Sequence, residues 1–291
     1  MNQVRKPAWL RVSIPGGTRW RAMSDLVSRR GLHTVCDEAA CPNKAECWGC
    51  GTATFMVLGD VCTRGCRFCA VATAASGTPP RAEEPAELAL AVAELGLRYA
   101  VITSVDRDDL PDRGAGHFAA CVSAIKSTVP GVMVEVLIPD FRGAEIDTIA
   151  ASRPDVIAHN VETVRRLQHI RDARASLDLS LTTLMEAKSR SGAMTKSSLM
   201  LGLGETEDEV CQAMDELRAA GCDMLVIGQY LRPTERQVAV VEYLSPERFD
   251  RYAELARGRG FRSVVSAPLA RTSWHAREGR DAASLAPGHK A

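Results

Sequence analysis

Seven short apolar runs, spaced between residues 54 and 270, leave few folds open to this chain. They are TFMVLGD (54–60), YAVITSV (99–105), MVEVLIPD (133–140), DVIAHNVE (155–162), KSSLMLGLGE (196–205), MLVIGQY (224–230) and RSVVSAPLA (262–270). Each is close to continuously apolar rather than alternating, the pattern of parallel strands covered on both faces. Between them lie amphipathic segments with readable ends. EPAELALAVAELG opens with Pro85 in its first turn, places Leu88, Val92 and Leu95 on one face and stops at Gly96. TEDEVCQAMDELRAAG carries Thr206 and Glu209 as a capping box, and SPERFDRYAELARG starts at Ser245 with Pro246 behind it. Strand–helix repetition of this kind predicts an α/β fold, either a βα barrel, complete or partial, or a doubly wound sheet. The signals blur over 163–195.

The chain is long enough for one large domain with appendages, at 291 residues of which 46% are apolar. Lys+Arg and Asp+Glu both total 36, so the overall charge points to neither nucleic acid nor a charged membrane surface. Its apolar runs fall far short of a bilayer span, and the first residues lack the apolar stretch of a secretory signal. A cytoplasmic protein is expected. Ten cysteines then become informative, because a reducing compartment disfavours a disulfide scaffold and favours ligation or catalysis. Seven fall between residues 36 and 69, while Cys121, Cys211 and Cys222 sit singly in apolar or helical patterns as small core or bystander residues.

Cys62, Cys66 and Cys69 stand as C-x3-C-x2-C in GDVCTRGCRFCAV, directly after the first strand. In a βα barrel that places them at the mouth, where active sites form. Four thiolates would close a zinc site or saturate a four-iron cluster; three leave one iron open. Zinc is the main alternative, but its ligands usually come as C-x2-C pairs. Upstream, Cys36, Cys41 and Cys47 form a second set of three, C-x4-C-x5-C, with Cys50 as an extra thiol nearby. Scattered cysteines, or a zinc knuckle completed by Cys50, are the plain alternatives for this set.

The C-x3-C-x2-C loop, with Phe68 between two of its cysteines, resembles that of the radical S-adenosylmethionine superfamily. Both cysteine sets together, with LHTVCDEAACPNKAECW, VITSVDRDDLPDRGA, EVLIPDFRG, KSSLMLGLGETEDEV and IGQYLRPT, resemble the lipoyl synthase family from about Lys6 to Glu278. The resemblance implies a partial (β/α) barrel of the radical SAM type over 53–270. An N-terminal extension (1–52) would carry the auxiliary-cluster cysteines, and a C-terminal segment (271–291) a serine ligand. It implies sulfur insertion at C6 and C8 of an octanoyl chain amide-linked to a lysine of a lipoyl carrier domain. The cofactors implied are two [4Fe-4S] clusters and S-adenosyl-L-methionine, cleaved to a 5′-deoxyadenosyl radical, with the second cluster consumed as the sulfur source. Cys62, Cys66 and Cys69 would bind one cluster; Cys36, Cys41 and Cys47 would bind the other, with Ser273 of ARTSW as its fourth ligand. Thr103, Ser104, Asn160, Glu162, Lys196, Gly202, Gly204 and Glu205 lie at expected strand ends and outline a place for S-adenosylmethionine, the glycines letting a ligand approach the backbone closely. Implied partners are the octanoylated E2 subunit of a 2-oxoacid dehydrogenase or the H protein of glycine cleavage, a ferredoxin or flavodoxin-type reductant, and an iron–sulfur carrier that rebuilds the cluster.

The chain departs from the family pattern at Ala158 (usually Asn), Ser198 (usually Gly), Ala267 (usually Gly) and in RTSW at 271–274 (usually RSSY). The acidic run DRDDLPD (106–112) reads most simply as a solvated turn. Alternatives to the lipoyl synthase reading are a specialised paralogue acting on another carrier-bound acyl group, a non-catalytic iron–sulfur protein, and a methylthiotransferase, which would normally bring a further domain.

Overall fold

The computed structural model describes residues 6–11, 18–38, 41, 43–49 and 53–285. Seven parallel strands stand side by side in chain order: β1 (Thr54–Val57), β2 (Tyr99–Ser104), β3 (Met133–Leu137), β4 (Val156–Ala158), β5 (Met194–Leu201), β6 (Met224–Gln229) and β7 (Ser263–Ser266). All seven match the apolar runs of the sequence. Each strand pairs in parallel with the next. A strand order without reversal is that of a singly wound barrel and excludes the doubly wound alternative. The barrel is open. Its β1 edge is extended by the antiparallel pair His33–Thr34, in register with Met56 and Phe55, and the sheet ends at β7.

Six helices connect the strands: α1 (Glu84–Glu94), α2 (Ala115–Thr128), α3 (Ala144–Ala151), α4 (Leu177–Ser191), α5 (Glu207–Ala219) and α6 (Pro246–Gly258). Their ends follow the sequence signals. Pro85 lies in the first turn of α1, and Thr206 with Glu209 closes the capping box of α5. Ser245 stands at the N-cap of α6, yet its side chain makes no capping hydrogen bond there. The blurred stretch resolves into a 3-10 turn, Arg165–Ile170, followed by α4. The six-residue 3-10 turn and the loop after it carry neither a helical nor a strand period, which is why the stretch is hard to read.

Alternate residues of each strand face opposite ways. Ala100, Ile102, Val134 and Val136 point outward and join Leu88, Val92 and Phe118 of α1 and α2 in one core. Leu199, Leu201, Leu225 and Ile227 do the same with Val210, Met214 and Phe249 of α5 and α6. Each fully buried aliphatic side chain contributes about 1.5–3 kcal/mol. The inner face is covered differently. The C-terminal helix Ala276–Leu285 lies against it, with Ala276 on Tyr99 and Val101, and Ala283 on Val156, Met194 and Met224. Small residues let this helix sit close, and it carries the preceding turn, residues 272–275, toward the barrel mouth.

Candidate active site at the barrel mouth

The cysteine loop leaves β1 and closes on itself through a two-residue parallel pairing of Val61–Cys62 with Ala72–Thr73. All three sulfurs are half-buried. Backbone N–H groups of Arg64 and Asp172 donate to the sulfurs of Cys62 (3.4 Å) and Cys66 (3.3 Å). Between these cysteines, the buried Arg64 forks onto Asp108 at 3.0 and 2.9 Å and pairs with Asp140. Asp108 also accepts from Thr63 Oγ1 at 2.9 Å. The acidic run 106–112 is therefore no solvated turn: Asp106 and Asp108 hold the cysteine loop, and Arg107 is buried behind it. On the far side, Gln237 Nε2 donates to the Cys69 carbonyl at 2.9 Å and Val238 N–H to the Arg67 carbonyl at 2.9 Å.

Burial pushes the Cys62 thiol up to about 11, helped by the Asp106 carboxylate, and the Cys66 thiol up to about 12. Cys69 rises for the same reason. Thiols so placed stay protonated until binding of a cationic centre displaces the proton to solvent. A tetrahedral zinc site needs its sulfurs about 4 Å apart. Among the described residues, the only three candidate ligands gathered within 4.8 Å of one another are Glu84, His117 and Cys121. Within each set, three thiolates fall one short of a closed tetrahedral zinc site.

In the second set, Cys36 is buried in the short helix Val35–Glu38, and burial raises its thiol; Cys41 and Cys47 are half-buried. Cys41 N–H donates to the Cys36 carbonyl at 3.2 Å, and Cys47 N–H to the Asn43 carbonyl at 2.9 Å. Lys44 rides 4.2 Å over the Trp48 ring, which lies 6.1 Å from Trp20. This set faces the C-terminal turn. Asn43 Nδ2 donates to the Leu269 carbonyl at 2.6 Å, His275 stands 3.5 Å from Glu46, and the Arg271 guanidinium, its pKa lowered by burial, feels the Cys41 sulfur. Cys50 lies outside the described residues.

The turn spanning 272–275 links the second set to the barrel interior. Thr272 Oγ1 lies 3.2 Å from both Asn160 Oδ1 and Ser198 Oγ, while Ser273 is half-buried beside it. Asn160 in turn hydrogen-bonds Glu162, whose φ is +67° and whose carboxyl is raised by burial. Strain of this kind gathers at functional sites. The hydroxyl of Ser104 is buried without a hydrogen-bond partner among the described residues, an orphan group of the kind a ligand would satisfy. Asn160 and Glu162 thus follow the carboxyl end of β4, and Ser104 ends β2.

Other expected contacts are spoken for. Thr103 Oγ1 donates to the Leu137 carbonyl at 3.0 Å. Lys196, expected at a strand end, is the third residue of β5 and is buried, bonded to Glu135 at 2.9 and 3.1 Å, with Tyr99 OH on the same carboxylate at 2.6 Å. Lys196 stands near the start of the strand, whether counted from its apolar run or from Met194, and so lies toward the floor of the barrel rather than at its mouth. Around Gly202, at φ +101°, a Cβ would stand 2.1 Å from Gln229 Nε2 and 2.4 Å from the Glu242 carbonyl, so its openness is used by the protein itself. Gly204 also has positive φ, and an added Cβ there would meet Val241 at an ordinary 3.7 Å. Glu205 closes the turn, accepting from Gly202 N–H (2.6 Å) and Leu203 N–H (2.9 Å). Sequence reading missed Arg64, Asp140 and Gln237; Asp140 and Gln237 are 76 and 168 residues from their partners in the loop, so no local pattern links them to it.

Comparison with known proteins agrees with this geometry. A methylornithine synthase crystal structure superposes with a TM-score of 0.59 over 84% of this chain and 69% of its own, at 14% identity, a likeness of fold. The sequence profile of the Radical SAM superfamily matches residues 56–228, so the chain is a radical SAM protein. It is 56% identical to lipoyl synthase of Anaeromyxobacter sp. (strain Fw109-5), over 94% of this chain and 95% of that one. To lipoyl synthase of Thermus thermophilus it is 52% identical, over 93% and 85%. The chain belongs to the lipoyl synthase family, and as such it is a sulfurtransferase enzyme that works with an iron–sulfur cluster and S-adenosylmethionine. No helix among the described residues is long and apolar enough to cross a membrane.

Proposed function

We propose that the chain inserts sulfur at C6 and C8 of an octanoyl group amide-linked to a lysine of a lipoyl carrier domain, using two four-iron clusters. What carries the two-cluster reading is the presence of two separate three-cysteine sets, the second joined to the barrel mouth by the 269–275 segment. Cys62, Cys66 and Cys69 would hold the cluster that works with S-adenosylmethionine; Cys36, Cys41 and Cys47, with Ser273, would hold the sulfur donor. When bound, the first group supplies a hydrogen-atom abstractor strong enough for unactivated C–H bonds, and the second supplies sulfur.

The chain's own residues do the positioning. Asn160, Glu162 and Ser104 offer polar groups to S-adenosylmethionine at the mouth. Thr272 engages Asn160 and Ser198, which leaves the neighbouring Ser273 hydroxyl as the candidate oxygen ligand. An oxygen ligand holds iron less firmly than a fourth thiolate and suits a cluster that is dismantled. Cytoplasmic carriers such as the E2 subunit of a 2-oxoacid dehydrogenase or the glycine cleavage H protein fit as substrates. A ferredoxin or flavodoxin-type reductant and an iron–sulfur carrier complete the set of partners.

Anaerobic incubation with an octanoylated carrier peptide, reductant and S-adenosylmethionine tests the reading. Mass spectrometry should show a product that has gained two sulfur atoms. An unchanged peptide, despite cleavage of S-adenosylmethionine, would favour a paralogue acting on another acyl carrier. One contact supports that second reading: two departures from the family pattern, Ser198 and Thr272, touch each other at the mouth.

A further inference from the structure

The cysteine loop leaves β1 through Leu58, whose φ is +70°, a left-handed backbone that is unfavourable for a branched side chain. The position nevertheless needs leucine, because its side chain is 1% exposed and fills the space over Gly114. A Cβ added to Gly114 would come within 2.4 Å of Leu58 Cδ1.

Buried charged side chains hold both peptide groups of this residue. Leu58 N–H donates to Glu84 Oε2 at 2.9 Å, and its carbonyl accepts from Arg107 Nη1 at 3.0 Å. His117 Nε2 lies 2.7 Å from that same Glu84 oxygen. Arg107, 1% exposed, also donates to the Thr78 carbonyl at 2.8 Å, just past the far end of the loop. Two bonds of 2.8 Å to Asp109 fix the guanidinium fork, and Asp109 accepts from Gly77 N–H at 3.3 Å. Gly77 is glycine for a reason: a Cβ there would stand 2.9 Å from the guanidinium carbon. One guanidinium therefore ties the residue entering the loop to the residues leaving it.

Glu84 and His117 also gather with Cys121 closely enough to suggest an ion site. The Glu84 oxygen is already occupied by the Leu58 N–H and the imidazole, and burial keeps the Cys121 thiol protonated. Hydrogen bonding, rather than an ion, accounts for the grouping.

We propose that Glu84, His117, Arg107 and Asp109 form a clasp that holds Leu58 left-handed and closes the ends of the cysteine loop, so fixing where Cys62, Cys66 and Cys69 present their cluster. These are positioning residues, none of them a ligand. The inference rests on the reading of this loop as the one that works with S-adenosylmethionine.

The test compares the full-length reconstituted chain with Glu84→Gln, which keeps size and loses charge, and Arg107→Lys, which keeps charge and loses the fork. Iron and sulfide content, the electron paramagnetic resonance signal of the dithionite-reduced protein with and without S-adenosylmethionine, and 5′-deoxyadenosine formation are measured together. Amide hydrogen exchange over residues 58–62 is followed in the same samples. Both variants should keep their clusters while the spectral response to S-adenosylmethionine changes. Their 5′-deoxyadenosine formation should fall about ten- to a hundredfold, the scale of misplacing reacting groups by around an ångström. Exchange at 58–62 should quicken. If Arg107→Lys does not fold, Asp109→Asn carries that arm, with the same direction expected. Wild-type rates, spectra and exchange in the variants overturn the clasp. A wild-type chain that cleaves no S-adenosylmethionine overturns the reading of the loop instead, and exchange at 58–62 still reports on the clasp.

Discussion

Around Cys62, Cys66 and Cys69, the fixing contacts come from charged side chains buried among the strand ends, Arg64 on Asp108 and Asp140 foremost. Around Cys36, Cys41 and Cys47, those described contacts that reach across to the C-terminal turn include one amide hydrogen bond, Asn43 to Leu269, and one polar contact, Glu46 with His275 at 3.5 Å, whose partners are both about half exposed. Buried pairs are hard to break, because removing one partner strands the other charge; an exposed pair is worth little. The contrast suits the proposal made above, in which the first site survives every turnover and the second releases its contents and is refilled.

The largest expected effect lies in the first set. Cys62→Ala, Cys66→Ala or Cys69→Ala should abolish 5′-deoxyadenosine formation, assayed by chromatography of an anaerobic reaction; cleavage at the wild-type rate would remove the loop from the site. Next comes the ligand on the second set. Ser273→Cys should keep both clusters and cleave S-adenosylmethionine while inserting little or no sulfur, and Ser273→Ala should lower insertion with a less stable second cluster. Thr272→Ala, run in parallel, should turn over fully; the reverse pattern moves the ligand to Thr272.

A graded challenge with an iron chelator sharpens the comparison further. Iron should leave in two stages, from about eight per chain to about four, with S-adenosylmethionine cleavage persisting through the first stage. Simultaneous loss would erase the proposed difference in retention. On stability, Arg64→Met should cost about 1.5–3 kcal/mol by denaturant unfolding, because Asp140 loses its nearest guanidinium and keeps His159 at 3.0 Å and Arg171 at 3.8 Å. The smallest effect is remote from both sets: Thr206→Ala should cost about 1 kcal/mol, the loss of one helix cap, and leave turnover untouched.

Much of the fold was legible because parallel strands buried on both faces announce themselves as apolar runs. The capping box at Thr206 and Glu209 is equally local, and it formed as written. Strand boundaries were less readable. Polar residues Thr195 to Ser198 sit inside β5, which starts two residues before its apolar run, and Lys196 lies at the N-terminal end of the strand, away from the mouth. The cysteines advertise themselves by spacing. What holds them does not: Glu84, Arg107 and Gln237 come from three separate segments, and only the winding of the chain brings them to the loop. Charged residues that look solvated in sequence become buried ties when opposite charges from other strands meet them.

The division of labour between the two cysteine sets is tested most directly by Cys41→Ala, assayed for two products in one anaerobic reaction with an octanoylated carrier peptide. 5′-Deoxyadenosine should still form, and the peptide should gain no sulfur. Sulfurated peptide from that variant would contradict the assignment of Cys36, Cys41 and Cys47 to the sulfur donor.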